Sequence, residues 1–254
     1  MKIFGHRGAS AHLAENTLPA FVRAVADGAD GIELDVMPCA SCEIIVCHDE
    51  TLDRLAGRPE APRRLRWEQL RTVKILDQAP IPLLVDVLEE LGTKTQLNIE
   101  LKTHPSALRR LIDHSLADEV AALLKAMGLQ ASCVVSSFDP LLLRRFAARA
   151  PEVETGLLLS AESSRPLREG WALAAMPRAA VHPQAPLVTP LRLARWHAQR
   201  RRVRVWTVDH PAELRWLAAL GVDAVITNDP GAARAALIEK VATGLGGSPA
   251  APGA

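Results

Sequence analysis

"GIELDVMPCASCEIIVCHDE", Gly31 to Glu50, holds two β-rich runs separated by too little chain for a helix. "GIELDV" (31–36) and "EIIVCHDE" (43–50) are both rich in Ile and Val, residues that fit a pleated surface. A parallel crossover takes at least about ten to twelve residues, and the second run begins at Glu43, directly after a short polar stretch. The two runs are therefore expected to form an antiparallel hairpin. It turns near Ala40-Ser41-Cys42 and brings His48 back to the level at which the first run ends.

Seven further runs fix what that hairpin belongs to. They are "KIFGH" (2–6), "TQLNIELK" (95–102), "SCVVSS" (132–137), "VETGLLLS" (153–160), "AAVHP" (179–183), "VRVWTVD" (203–209) and "DAVITN" (223–228). Amphipathic helical patterns lie between most of them, among them "TLPAFVRAVADG", "PSALRRLIDHSLADEVAALLKAMG" and "PAELRWLAALG", and Gly28, Gly128 and Gly221 stand where helix C-caps favour glycine. Strand and helix alternating in this way predict a parallel sheet with crossover helices. With the returning arm of the hairpin set aside, eight strands remain, the number that closes a single (β/α)8 TIM barrel. We expect this barrel to span residues 1–240. Residues 51–82, rich in Pro and Arg and without a clear strand, are expected to be a small insertion after strand two, lying over the barrel mouth. Residues 241–254, mostly small, are expected to be a disordered tail.

Composition narrows the function classes. Hydrophobic residues make up 48% of the 254 and charged residues 23%, ordinary for a globular chain with a sizeable core. A net charge of +1 gives no basis for nucleic acid as a partner or for stable membrane association. No leader pattern precedes the first strand and no run approaches about 18 apolar residues, so a cytoplasmic location is expected. Cys39, Cys42 and Cys47 cluster while Cys133 stands apart. One C-x-x-C pair without a second is a weak zinc signal, and reduced thiols are expected.

In a barrel of this type the active site lies at the C-terminal ends of the strands. Strand one ends in His6-Arg7. Strand two carries Glu33 and Asp35, two apart and so on one side. The hairpin returns His48-Asp49, strand three carries Glu100 and Lys102, and strand seven offers Trp206. Singly, each has a plain structural explanation: a strand-end histidine is often just a satisfied polar residue, and a Glu-x-Asp pair a solvated edge. Together they could not be buried without a compensating ion or ligand. Glu33, Asp35 and Glu100 make a hard, all-oxygen set suited to one divalent cation, magnesium or calcium, rather than zinc. Arg7 and Lys102 add positive charge for an anion that bridges to such a cation, and phosphate is the natural candidate. His6 and His48 supply a general base and a general acid. This set describes metal-assisted cleavage of a phosphate ester.

The sequence resembles the glycerophosphodiester phosphodiesterase family. The stretches that carry the resemblance are "HRGAS…ENTLPAF" (6–21), "GADGIELDV" (28–36), "EIIVCHDETLDR" (43–54), "NIELK" (98–102), "SSFDP" (136–140), "VWTVD" (205–209) and "GVDAVITNDP" (221–230), in family order. The resemblance implies a (β/α)8 barrel with an insertion after strand two. It also implies metal-dependent hydrolysis of small glycerophosphodiesters to glycerol 3-phosphate and an alcohol. On the matching positions His6 and His48 would be the acid–base pair, Glu33, Asp35 and Glu100 the metal ligands, and Arg7 and Lys102 the phosphate binders, with Trp206 facing the glycerol. In "ENT", Asn16 or Thr17 is expected to cap the first helix and Glu15 to orient a neighbour. Three positions depart from the family pattern. Ser41-Cys42 replaces Asp-Gly at the hairpin turn, Ala14 replaces the Pro before "ENT", and Thr227-Asn228 replaces Thr-Asp, so that a charge there is lost or passes to Asp229. Two other functions fit the same barrel. A phospholipase acting on intact lipid would need an apolar entry surface, and the arginine-rich 51–82 segment does not read as one. A noncatalytic phosphate-binding barrel would be expected to have lost a histidine or a metal carboxylate, and neither is lost.

Overall fold

Eight parallel strands run round a common axis in the computed structural model, which describes residues 1–104, 106 and 114–243. The chain begins in β1 (Lys2–His6), passes through α1 (Leu18–Ala26) and returns in β2 (Gly31–Pro38). β3 (Ile44–Val46) then pairs antiparallel with β2, Val36 opposite Val46, as the short spacing requires. The rest of the barrel is β6 (Gln96–Leu101), β7 (Cys133–Ser137), β8 (Glu154–Leu159), β9 (Ala180–Pro183), β10 (Arg204–Val205) and β11 (Ala224–Thr227). Hydrogen-bonded order runs β10-β11-β1-β2-β6-β7-β8-β9. Two isolated parallel bridges, Val181 to Val203 and Gln184 to Trp206, join the two ends.

That seam is thin. The run expected as a strand over 203–209 is regular only at Arg204–Val205. Pro183 on the facing strand has no N–H to give, and only its carbonyl serves the seam, accepting from Trp206 N at 3.1 Å. Beyond Trp206 the chain turns to the other neighbour, and Val208 N donates to the Ile226 carbonyl at 2.9 Å.

Packing follows the strand period. Outward-facing Ile3, Ile32, Leu34, Leu97, Ile99, Val135, Leu157 and Val181 are buried against the surrounding helices in one continuous core. Of those helices, α4 (Leu84–Leu91) contributes Leu84, Val87, Leu88 and Leu91, and α6 (Pro140–Arg149) contributes Leu142, Leu143 and Phe146. The glycines expected at helix ends all take positive φ: 85° at Gly28, 69° at Gly128 and 84° at Gly221. Of the long helix expected from residue 105, His114–Ala126 (α5) is helical, and residues 105 and 107–113 lie outside the described residues. Of the tail expected over 241–254, residues 241–243 instead complete the helix Pro230–Thr243, and the rest lie outside the described residues.

Residues 51–82 hold two single-turn helices, α2 (Asp53–Ala56) and α3 (Trp67–Leu70), and a two-residue antiparallel pair, β4 (Lys74–Ile75) with β5 (Ala79–Pro80). No strand was expected there. A ladder of two residues per arm is too short for alternation to show, and it turns on Leu76 and Asp77 at φ of 49° and 57°. Leu52, Leu55, Leu70, Val73, Ile75 and Ile81 build a second apolar cluster with Met37, Ile45 and Cys47 of the hairpin, so this segment is packed rather than draped.

The hairpin tip is closed by Cys39 N donating to the Glu43 carbonyl at 3.0 Å and Cys42 N to the Cys39 carbonyl at 3.1 Å. Cys42 stands at φ 74°, in the left-handed region, with its side chain exposed. A Cβ is disfavoured there by about 1–2 kcal/mol. Cys42→Gly should therefore raise stability by about 1 kcal/mol, read as a higher urea midpoint at unchanged slope. An unchanged or lower midpoint would show that the turn is not strained.

Candidate active site

Parallel register sets the inward residues of neighbouring strands side by side: His6 beside Glu33, Glu33 beside Asn98, Asp35 beside Glu100, Glu100 beside Ser136. The site is thus assembled by strand pairing. After His6 the chain turns sharply, with Arg7 at φ 55° and Gly8 at φ 87°. A Cβ on Gly8 would lie 2.6 Å from the Ala20 backbone, so only glycine lets this loop rest on α1. The turn aims the Arg7 N–H at Glu33 Oε2, 3.1 Å away.

Oxygens of Glu33, Asp35 and Glu100 lie within 4.8 Å of one another, and all three residues are buried. Each answers its surroundings differently. Burial, reinforced by the charges of Asp35 and Glu100, pushes the Glu33 carboxyl well above its ordinary range. Burial also raises Glu100, with Lys102 opposing. At Asp35 burial is outweighed by Lys102 and then Arg7, which hold it far below the usual carboxylate range. Lys102 Nζ is 2.9 Å from Glu100 Oε1 and 3.5 Å from Asp35 Oδ1. Arg7 Nη1 donates to Glu15 at 2.8 Å, while its Nε, 3.3 Å from Asp35 Oδ2, is poorly aligned and makes no hydrogen bond.

The histidines come from opposite directions. His48 arrives on the return of the hairpin, its Nδ1 2.7 Å from Asp49 Oδ1. Since a carboxylate only accepts, Nδ1 carries the hydrogen of that bond. Arg54 on α2 holds Asp49 in turn, Nε to Oδ2 at 2.7 Å, and reaches Glu15 with both terminal nitrogens. His6 places its Nδ1 2.7 Å from Asn228 Oδ1. Burial, and then the neighbouring Arg7, lowers its pKa below the ordinary imidazole value.

His6, Arg7, Glu33, His48, Glu100 and Trp206 line one cavity of about 220 Å³, together with Asn98, Phe138, Leu158 and Ile226. A wider groove of about 410 Å³ continues from it past His48, Glu100 and Phe138 to Thr51, Lys102 and Thr103. Asp35 sits behind this wall. Trp206 donates its indole N–H to the His182 carbonyl at 2.7 Å and meets Phe138 edge-on at 5.6 Å, so it offers the cavity a ring and no donor. Asn98 is fully buried with neither amide atom partnered.

Several of these roles are not legible in the sequence. Asn16 is no helix cap: it donates Nδ2 to Asp35 Oδ2 at 2.9 Å and accepts from Asp35 N at 3.3 Å. Thr17 takes the cap of α1. Arg54, Asn98 and Phe138 carry no site signal in the sequence, for only the fold brings them to the mouth; the "NIELK" alternation alone marks Asn98 as sharing a side with Glu100. Asp229 does not stand in for a charge at 228. It bonds His12 at 2.9 Å and caps the last helix through Ala232 N, and the carboxylate behind Asn228 is Asp209. Cys39, Cys42, Cys47 and Cys133 are free, and Cys39 Sγ spends its hydrogen on Glu43, 3.2 Å away.

Fold and mouth together define a barrel enzyme built to act on an anion. Residues 6–232 match the model of the Glycerophosphoryl diester phosphodiesterase family, and the chain belongs to that family of enzymes. A glycerophosphodiester phosphodiesterase of Caldanaerobacter subterraneus subsp. tengcongensis is 30% identical over 237 residues, covering 90% of this chain and 94% of the relative. The solved glycerophosphodiester phosphodiesterase of Agrobacterium tumefaciens is similar at TM-score 0.75 and 26% identity, over 92% of this chain and 99% of its own. An Oleispira antarctica phosphodiesterase, solved with the product sn-glycerol-3-phosphate, shares the fold at TM-score 0.79 and 24% identity, over 94% and 97% of the chains.

Proposed function

We propose that this enzyme hydrolyses small glycerophosphodiesters to glycerol 3-phosphate and an alcohol, in the cytoplasm, with residues 1–240 as one catalytic domain. The observation that carries it is the meeting of two differently supported imidazoles with Glu33 and Glu100 on one small cavity, Asp35 completing the buried carboxylate triad behind them. The product bound by the Oleispira antarctica enzyme supports the substrate class. Four free thiols support a reducing compartment. Among the described residues no helix is long and apolar enough to cross a membrane.

Glu33, Asp35 and Glu100 fit a divalent cation, magnesium or calcium: the donors are all oxygen, and their mutual repulsion when buried is relieved by positive charge. When bound, that cation supplies Lewis-acid stabilisation of charge on the phosphate oxygens. Arg7 and Lys102, beside the carboxylates, bind and orient the phosphate, and the Trp206 ring packs on the glycerol. His6, held neutral by burial and by Arg7, takes the proton of the attacking hydroxyl on Nε2. His48, with Nδ1 committed to Asp49, gives the proton on its Nε2 to the departing alcohol oxygen. The attacking group is the glycerol hydroxyl next to the phosphate, which forms a cyclic phosphate; water then opens the ring, with the two proton transfers reversed.

A panel of glycerophosphodiesters, assayed by coupled detection of glycerol 3-phosphate, tests this assignment. Release from at least one member is expected. No release from any member, with magnesium and calcium both supplied, would overturn it.

A further inference from the structure

We infer that Asp209, acting through the side-chain amide of Asn228, fixes the tautomer of His6 and so leaves its Nε2 free for the cavity. This rests on His6 being the base proposed above.

Asp209 Oδ2 accepts from Asn228 Nδ2 at 2.6 Å, while its Oδ1 accepts from Asn228 N and Thr227 Oγ1, both at 2.8 Å. A carboxylate cannot donate, so the amide nitrogen of Asn228 must face Asp209 and the amide oxygen must face the histidine. That oxygen lies 2.7 Å from His6 Nδ1, and an amide oxygen only accepts. Nδ1 therefore carries the hydrogen, and in the neutral ring Nε2 holds the lone pair. No described residue bonds Nε2. Ser10 completes the arrangement: its Oγ donates to the His6 carbonyl at 2.8 Å and lies 2.9 Å from Asn228 Oδ1. Asp209 and Asn228 are positioning residues. They touch no reacting atom, and they act by deciding which ring nitrogen is a base.

One atom can reverse the relay. Asp209→Asn puts an amide where the carboxylate was. Its oxygen still serves Thr227 and the backbone N–H, so its nitrogen faces Asn228. Asn228 must then turn its oxygen toward 209 and its nitrogen toward His6, where Ser10 Oγ can accept. Nδ1 becomes an acceptor, and the hydrogen moves to Nε2.

The test is long-range ¹H–¹⁵N spectroscopy of the full chain with ¹⁵N-labelled histidine and magnesium present, assigned through His6→Ala. Neutral His6 in the native protein should show a hydrogen-bearing Nδ1 and a bare Nε2. Asp209→Asn should interchange them and lower kcat by up to the general-base contribution, about 10²–10⁴-fold, with KM changed much less. Asn228→Leu, which removes the acceptor, should also lose the Nδ1–H form and provides a second reading if Asp209→Asn folds poorly. A native His6 protonated on Nε2, or an unchanged tautomer in a folded Asp209→Asn, would overturn the inference. Failure of His6 as the base has a separate signature: near-normal kcat in His6→Ala, whatever the spectra show.

Discussion

His6→Ala and His48→Ala should each lower kcat by about 10²–10⁴-fold, the usual range for a positioned acid or base. The double variant should lose much less than the product of the two, because both serve one reaction. The two losses should also differ in kind. Burial and Arg7 keep His6 neutral to lower pH than an ordinary histidine, so the acidic limb of kcat/KM should fall below the unperturbed value of about 6.5. A substrate analogue lacking the glycerol hydroxyl next to the phosphate keeps the phosphate and the leaving group, so it should bind. It should not turn over, since cyclisation needs that hydroxyl. Near-normal turnover of the analogue would exclude the cyclic route in favour of direct attack by water. More than about a tenth of native kcat in both single variants, less than the weakest ordinary acid–base effect, would remove the histidine assignment altogether.

Chelation should abolish turnover, and magnesium or calcium should restore it. The triad gives the reason: three buried carboxylates each bring one oxygen within 4.8 Å of the other two, and Arg7 and Lys102 offset only part of that charge. A cation that binds the folded state alone also stabilises it, by about 2.7 kcal/mol at a hundredfold excess over Kd, so Tm should rise on adding it to chelated protein. Glu33→Gln should blunt that rise along with activity. Because burial and its charged neighbours make Glu33 ready to take a proton, cation affinity should weaken as pH falls. Full activity after exhaustive chelation, or a Tm indifferent to both ions, would refute the metal site.

The barrel was legible because its signals are local. Alternating strands and helices, glycines at helix ends and seven residues' worth of spacing between Val36 and the run at Glu43 all act within a few turns of chain, where propensity and loop length decide. The inward set was legible for the same reason: a period of two puts Glu33 with Asp35 and Glu100 with Lys102, and the barrel rule puts them at one rim. Short-range patterning failed where the ladder was too brief to show a period, as at β4 and β5, and at the seam, where a proline and a change of partner cut strand seven to two residues.

What only the tertiary structure decided is how those residues are held. Arg54, bonded to Asp49, reaches Glu15 across 39 positions of chain, and Asn228 meets His6 across 222. No periodicity encodes such pairings: the first needs the loop after β1 set beside the segment after the hairpin, and the second arises when the barrel closes and brings its last strand against its first. Sequence alone thus marks the acidic, basic and imidazole groups of the strand ends, while Arg54, Asn98 and Phe138 reach the mouth only through the fold. Closure decides which imidazole nitrogen carries a hydrogen, since a tautomer depends on the partner a ring finds and that partner comes from the far end of the chain.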